Sequence, residues 1–289
     1  MSLPLVFSLL FSLPAFAGHT DTIVVYSPSM KKDIKCVVIL PTRYLSAGHG
    51  KNAVATAAEG KSLPRLPVVY LLHGWSGNYA QWPGLAPQLA RKADELNILI
   101  VCPDGGYGSW YFDSPVDSSI RYETFISREL VTYIDRHYPT AADRAHRAIT
   151  GLSMGGHGGL YLGIRHKDLY GAAGSMSGGV DFRPFPDNWD LKKDLGDSAC
   201  CWANWENNTV THAVEGLKNG EIRLIFDCGT GDDYFIGVNR ALHQKLLDKQ
   251  IDHDYAERPG AHEDAYWRNS VDYQLLFFWK YFSDDGRHH

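Results

Sequence analysis

A serine stands between glycines in Thr150-Gly151-Leu152-Ser153-Met154-Gly155-Gly156, directly after an apolar run and before a small-residue segment of helical character. A hydroxyl carried on a tight strand-to-helix turn is presented for attack on a carbonyl carbon, and flanking glycines admit the strained serine backbone and the close approach of strand and helix. With 28 glycines in the chain, a Gly-x-Ser-x-Gly match alone carries little weight. The apolar run before it and the small-residue helix start after it supply the context that such a turn requires. Ser153 is the candidate nucleophile. Attack on a carbonyl builds negative charge on oxygen, and the backbone N–H of Met154, at the start of the helix, is one candidate donor for that charge. A second donor is expected after an early buried strand. The run Val68-Val69-Tyr70-Leu71-Leu72-His73-Gly74-Trp75 fits, which assigns it to the N–H of Trp75. His73 itself reads as a packing residue beneath that loop.

A serine hydroxyl needs a base, and thirteen histidines compete for the role. Where a nucleophile sits on an elbow of this kind, the chain order is Ser, acid, His, each after a sheet strand. Past a strand expected at 252–257 comes Arg258-Pro259-Gly260-Ala261-His262, a short loop before the final helix. His262 is therefore the candidate base. His212 falls in an insertion, His243 and His253 within elements, and His288 and His289 in the tail. The acid is expected after the preceding strand, in Cys228-Gly229-Thr230-Gly231-Asp232-Asp233, where two adjacent carboxylates are available to orient an imidazole. Asp232 is the first choice and Asp233 the alternative; Asp227 belongs to the strand and reads as structural. The spacing of EF-hand, His-Glu-x-x-His and paired Cys-x-x-Cys sites is missing, so neither metal nor cofactor is implied.

Elements able to position these residues are visible as short Val-, Ile- and Leu-rich runs at 22–26, 34–40, 67–72, 98–102, 147–150, 172–176 and 222–228. Several are apolar at consecutive positions, as strands buried on both faces are. Helical patterns alternate with them at 123–137, 154–166, 238–249 and 264–281. This alternation predicts an α/β domain around a mostly parallel central sheet, with helices on both faces. Two stretches break the pattern. Residues 46–66 read as an exposed polar loop. Residues 181–220, with Pro184, Pro186 and tryptophans at 189, 202 and 205, form an insertion. It either overhangs the site as a lid or substrate wall, or is pinned to the body by its tryptophans.

Composition narrows the function classes. A net charge of −5 and the absence of a Lys/Arg-rich run disfavour nucleic acid. The N-terminal apolar run ends in Ala15-Phe16-Ala17, which predicts a secretory signal over 1–17, a mature domain over 18–289, and a secreted or periplasmic protein. Nothing approaches the roughly 20 apolar residues of a membrane span. Five cysteines make an odd set: Cys36, Cys102 and Cys228 lie in strand-like runs as buried thiols, and Cys200 and Cys201 are adjacent.

Taken together, Leu71-Leu72-His73-Gly74, Trp110-Tyr111-Phe112-Asp113-Ser114-Pro115, Gly151 to Gly156, Cys228-Gly229-Thr230-Gly231-Asp232 and Gly260-Ala261-His262 with Tyr266-Trp267 resemble the esterase D family. That family includes S-formylglutathione hydrolases, small-acyl esterases, feruloyl and acetyl esterases and mycolyltransferases. The resemblance covers nearly the whole mature chain and implies a single α/β-hydrolase domain acting as a serine carboxylesterase through an acyl-enzyme, without a cofactor. It places the acid at Asp232, matches the second oxyanion donor to Trp75, and implies a homodimer. One position departs from the family: two residues after His262 relatives carry an aromatic residue, and here Asp264 stands there. Trp110 and Tyr111 are expected to line the substrate pocket, with Asp113 holding their loop by hydrogen bonds. Export argues against a glutathione thioester, and the aromatic neighbourhood suits a phenolic acyl group or a sugar ring. The expected substrate is a small-molecule or polysaccharide-linked ester, feruloyl or acetyl, of plant cell-wall material. The rival readings are acyl transfer to an alcohol and a non-catalytic binding module.

Overall fold

The computed structural model describes residues 18–45 and 64–284. The expected signal over 1–17, most of the expected loop at 46–66, and the C-terminal histidines lie outside the described residues. One eight-stranded sheet organises the chain. Its strands are β1 (His19–Ser27), β2 (Lys32–Leu40), β3 (Val68–Leu72), β4 (Leu99–Pro103), β5 (Arg147–Gly151), β6 (Ala172–Met176), β7 (Arg223–Gly229) and β8 (Asp254–Arg258). They are ordered β1-β2-β4-β3-β5-β6-β7-β8. The β1–β2 hairpin and the β2–β4 pair are antiparallel, and every pair from β4 to β8 is parallel.

The consecutive apolar residues of the inner strands are explained by what covers each face. Side chains alternate along a strand. On one face Val68, Tyr70 and Leu72 of β3 join Val101, Ile149 and Phe226 in a core shared with Val131 and Ile134 of α2 (Val131–His137), Leu160 and Leu162 of α3 (Met154–Arg165), and Leu242 and Leu246 of α4 (Ile236–Asp248). On the other face Val69, Leu71, Ile100, Ala148 and Ile225 pack against Leu89 and Ala93 of α1 (Leu89–Leu96) and against Tyr266, Val271, Leu275 and Phe278 of α5 (Asp264–Ser283). Each fully buried aliphatic side chain contributes about 1.5–3 kcal/mol, so the paired cores hold both helical layers on the sheet.

The strands fall within a few residues of their expected positions, and the parallel sheet with helices on both faces is the predicted architecture. Helix α1 escaped the sequence reading although its apolar stripe is regular: Leu89 and Ala93 are buried, and Ala90 and Leu96 pack part-buried on the same core. It stops at Asn97, whose left-handed backbone (φ 54°) and N–H to Ala93 O form a terminating turn. The helix expected at 123–137 carries a wide π turn over Phe125–Leu130, from which Glu129 accepts hydrogen bonds from Ser27 Oγ (2.6 Å) and Ser29 N–H (2.9 Å) at the β1–β2 turn. The insertion holds short helices at Leu191–Leu195, Trp202–Asn207 and Val210–Ala213. Trp205 is buried and donates Nε1–H to Gly196 O at 2.9 Å, while Trp202 is exposed. Among the described residues no helix is long and apolar enough to cross a membrane.

Candidate active site

The loops that follow β3, β4, β5, β7 and β8 leave the same, carboxyl edge of the sheet. The chain runs from β3 to β4 on one side and then returns to β5 on the other, so a crevice opens between β3 and β5, the usual place for a ligand in such sheets. Ser153 follows β5 there. Its backbone is left-handed (φ 55°, ψ −116°), a strained conformation for a residue with a side chain. The turn closes tightly enough that a Cβ at Gly151 would sit 2.5 Å from the carbonyl oxygens of both Leu72 and Gly155. Ser153 N–H donates to Met176 O at 2.9 Å, which ties the turn to β6.

Three side chains from three loops meet at this turn. Ser153 Oγ lies 2.9 Å from His262 Nε2, and His262 Nδ1 lies 2.8 Å from Asp232 Oδ2. The loops that carry the acid and the imidazole are zipped together by backbone bonds from Thr230 N–H to Arg258 O and from Gly231 N–H to Gly260 O, both 2.8 Å. Beneath them, buried Asp227 accepts hydrogen bonds from Tyr266 Oη (2.8 Å), Ser270 Oγ (2.6 Å) and Gln274 Nε2 (2.9 Å), anchoring α5 just past His262. Burial outweighs these donors and holds the Asp227 carboxyl above its ordinary value.

Asp232 is fully buried and Asp233 exposed, so the geometry separates the two adjacent carboxylates. The second oxygen of Asp232 accepts N–H groups from Tyr234 (3.1 Å) and Phe235 (3.0 Å). Burial alone would raise this carboxyl. The bond from His262, its charge and the Phe235 N–H prevail, holding Asp232 below the usual carboxylate value. The imidazole stands among rings: Trp267 edge-on at 4.8 Å, Phe235 at 5.2 Å and Tyr234 at 5.9 Å between centroids.

The expected oxyanion donors face no acceptor among the described residues. In the β3 loop Gly74 N–H goes to Gln81 Oε1 (2.8 Å), Ser76 N–H to Tyr107 O (2.7 Å) and Gly77 N–H to Gly74 O (3.0 Å), leaving Trp75 N–H between them. Met154 is the first residue of α3, where backbone N–H groups lack intrahelical partners. A Cβ on Gly74 would lie 3.5 Å from Ser153 Cβ, so the two turns run side by side. His73 is buried, with Nδ1 2.8 Å from Gly74 O and Nε2 accepting Gly105 N–H at 2.7 Å. Both ring nitrogens are spent on holding the β3 and β4 loops together.

Trp110 and Tyr111, expected against substrate, lie below the surface at 1% and 0% exposure. Trp110 packs among His157, Phe182 and Trp189. Tyr111 donates its hydroxyl to His73 O at 3.0 Å and so props the Gly74–Trp75 turn from beneath. Asp113 holds this loop as expected, accepting Thr124 N–H (3.0 Å) and Thr124 Oγ1 (2.6 Å). Tyr111→Phe is expected to leave a buried carbonyl unpaired, which costs about 1–3 kcal/mol, or roughly 2–4 °C in Tm per kcal/mol. Thermal unfolding followed by circular dichroism checks it; an unchanged Tm would mean that the carbonyl finds another donor.

Aromatic residues surround the His262 imidazole. Trp189 of the insertion lies 5.2 Å from the Phe235 ring, which touches His262, and 5.6 Å from Trp110. The sequence reading names Trp189 among the insertion's tryptophans and passes over Tyr234 and Phe235, whose position just after the acid is the signal that could have found them. Asp264 is exposed on the first turn of α5. No group of three or more metal-ligating side chains occurs among the described residues.

A central sheet of this order, with serine, histidine and aspartate loops converging at its carboxyl edge, defines an α/β hydrolase. The Esterase family model matches residues 27–278, and the chain belongs to that family. It is 23% identical to an acetyl esterase of Caldicellulosiruptor saccharolyticus, over 85% of this chain and 92% of that protein. It is 33% identical to an endo-1,4-beta-xylanase/feruloyl esterase of Xylanibacter ruminicola, over 47% of this chain and 19% of that longer protein. Among solved structures it is similar to a ferulic acid esterase, with a TM-score of 0.76 and 25% identity, covering 92% of this chain and 99% of the other. The protein is a carboxylic ester hydrolase.

Proposed function

We propose that Ser153 Oγ attacks the ester carbonyl carbon as His262 Nε2 takes its proton, with Asp232 orienting the imidazole and stabilising its cation. The developing oxyanion is received by the N–H groups of Trp75 and Met154. Collapse of the tetrahedral intermediate breaks the carbon–oxygen bond to the alcohol, which leaves with the proton from His262. Water then repeats the sequence on the acyl-enzyme, giving free acid and restoring Ser153. The observation that carries this reading is the continuous hydrogen-bond line from Ser153 through His262 to Asp232.

The substrate class in this reading is a feruloyl or acetyl ester of plant cell-wall polysaccharide, reached by an exported enzyme from which residues 1–17 are removed. Rings near the base, from Tyr234, Phe235 and Trp189, suit a planar phenolic group, and the names of the acetyl and feruloyl esterases above lie in the same direction. The test compares p-nitrophenyl acetate, p-nitrophenyl butyrate and methyl ferulate, and then measures ferulate and acetate released from arabinoxylan. Release of either acid from the polysaccharide is the expected result. Cleavage of the activated esters with neither acid released would remove the polysaccharide from the proposal.

A further inference from the structure

The sheet ends at β8, and among the described residues no strand pairs with its outer side. Main-chain groups alternate in direction along a strand, and Arg258 O accepts Thr230 N–H on the β7 side at 2.8 Å. Asp254, Ala256 and Arg258 therefore aim their N–H and C=O groups at β7. Tyr255 and Glu257 aim theirs outward, where they meet no partner among the described residues. No proline interrupts the strand, so its edge is an open template for another. From this edge we infer that two copies of the chain pair through β8, antiparallel, about a two-fold axis at Ala256.

A two-fold axis requires a surface that complements itself. The strand Asp254-Tyr255-Ala256-Glu257-Arg258 meets that requirement. Laid antiparallel on its own copy about Ala256, it sets Asp254 opposite Arg258 of the second copy and Tyr255 opposite Glu257 of the second copy, each pair occurring on both sides of the axis. Tyr255 and Glu257 are the residues whose main-chain groups face outward, so they exchange the N–H···O bonds of the new ladder. Ala256 then faces its own copy in a non-hydrogen-bonded pair, where Cα atoms approach to about 4.5 Å and a methyl group fits.

The side chains around the edge have matching needs. On the α4 face His243 stacks on Tyr255 at 4.5 Å between centroids, and Arg240 holds Glu257 at 2.7 Å. On the α5 face the Arg258 guanidinium lies 4.1 Å from the centre of the Tyr273 ring. Its Nη1, 3.6 Å from Asp227, is buried without a hydrogen-bond partner. Asp254 is exposed and makes no ion pair among the described residues. A cavity of about 450 Å³ beside the edge is lined by Asp254, Ala256, Arg258, Tyr273, Leu276 and Lys280. Tyr273 and Leu276 stand 47% and 43% exposed there, apolar surface that a second copy would cover. An acid at one end of the strand and a base at the other select an antiparallel copy of the same strand over a partner of one charge sign.

Sedimentation velocity of the full chain, over a concentration series into the upper micromolar range, is the first measurement, and the wild type is expected to sediment as a dimer. Asp254→Lys puts like charges opposite each other at both ends of the paired strands, and is expected to raise the dimer Kd by about tenfold or more. Asp254 is exposed and takes no part in the hydrogen-bond line from Ser153, so retained hydrolysis of p-nitrophenyl acetate shows that the variant is folded. Amide hydrogen exchange then reads the interface directly. The Tyr255 and Glu257 amides are expected to be protected in the wild-type dimer and to exchange freely in dissociated Asp254→Lys. A wild type that remains monomeric at the highest concentration would overturn the inference. So would a dimer that Asp254→Lys leaves intact and in which both amides exchange freely, since its interface would then lie elsewhere.

Discussion

Ser153→Ala is expected to lower kcat on p-nitrophenyl acetate by about 10⁴- to 10⁶-fold, with folding unaffected. The magnitude follows from removing the atom that forms the acyl-enzyme, which leaves only the N–H donors and binding to assist attack by water. Stability is expected to hold, because alanine at φ 55° carries the same backbone strain as serine, and the substitution removes only the Oγ contact with His262. His262→Ala should cost nearly as much as Ser153→Ala. The double variant should be no slower than either alone, since the two act as one unit. Steady-state kinetics check the rates, and mass spectrometry after a fluorophosphonate probe checks the nucleophile: one label on the wild type, none on Ser153→Ala. Activity within tenfold of wild type in Ser153→Ala would refute the mechanism.

Asp232→Asn is the second large effect, a fall in kcat of about 10⁴-fold. An asparagine can still accept the Tyr234 and Phe235 N–H groups with its carbonyl. Its amide NH₂ then faces His262 Nδ1, which must become an acceptor, placing the imidazole proton on Nε2, where it can no longer accept from Ser153. Asp233→Asn, on the exposed neighbour, is expected to stay within about twofold of wild type by the ordinary scale of surface substitutions. The same pair of proteins carries a pH prediction. Because the folded Asp232 is held below its ordinary value, its contribution to stability is present above the unfolded value of about 3.9 and is lost as pH falls through the depressed folded one. The gap in Tm between wild type and Asp232→Asn should therefore be widest near neutrality and narrow below about pH 4. A gap independent of pH would mean that the Asp232–His262 pair adds nothing to the fold.

Much of the site was legible in the chain, and what was legible shares a cause. A Gly-x-Ser-x-Gly turn between strand and helix is a local backbone requirement: Gly151 and Gly155 are needed because Leu72 and its neighbours pass too close for any Cβ. Chain order placed His262 after β8 and a carboxylate after β7, since parallel strands must deliver their following loops to one edge. Helix α1 was legible as well, since Leu89, Ala90, Ala93 and Leu96 recur at helical spacing on the face that meets the core.

The amino-acid sequence by itself determined the Gly-x-Ser-x-Gly turn, the parallel sheet and the place of His262 on the loop after the last strand. Each depends on residue types at short spacing, or on the order in which strands occur. Tertiary structure alone decided the rest. It turned Asp232 inward to His262 and left Asp233 in solvent, the choice that the family resemblance implies but that two identical residue types side by side do not themselves explain. It sank Trp110 and Tyr111 beneath the site they were expected to line, because the His73 carbonyl and the Phe182–Trp189 rings converge there from distant segments. It brought Trp189 to the aromatic ring beside His262. Side-chain direction depends on which surfaces the long-range packing of the sheet, helices and insertion brings together, and that information is spread over the whole chain.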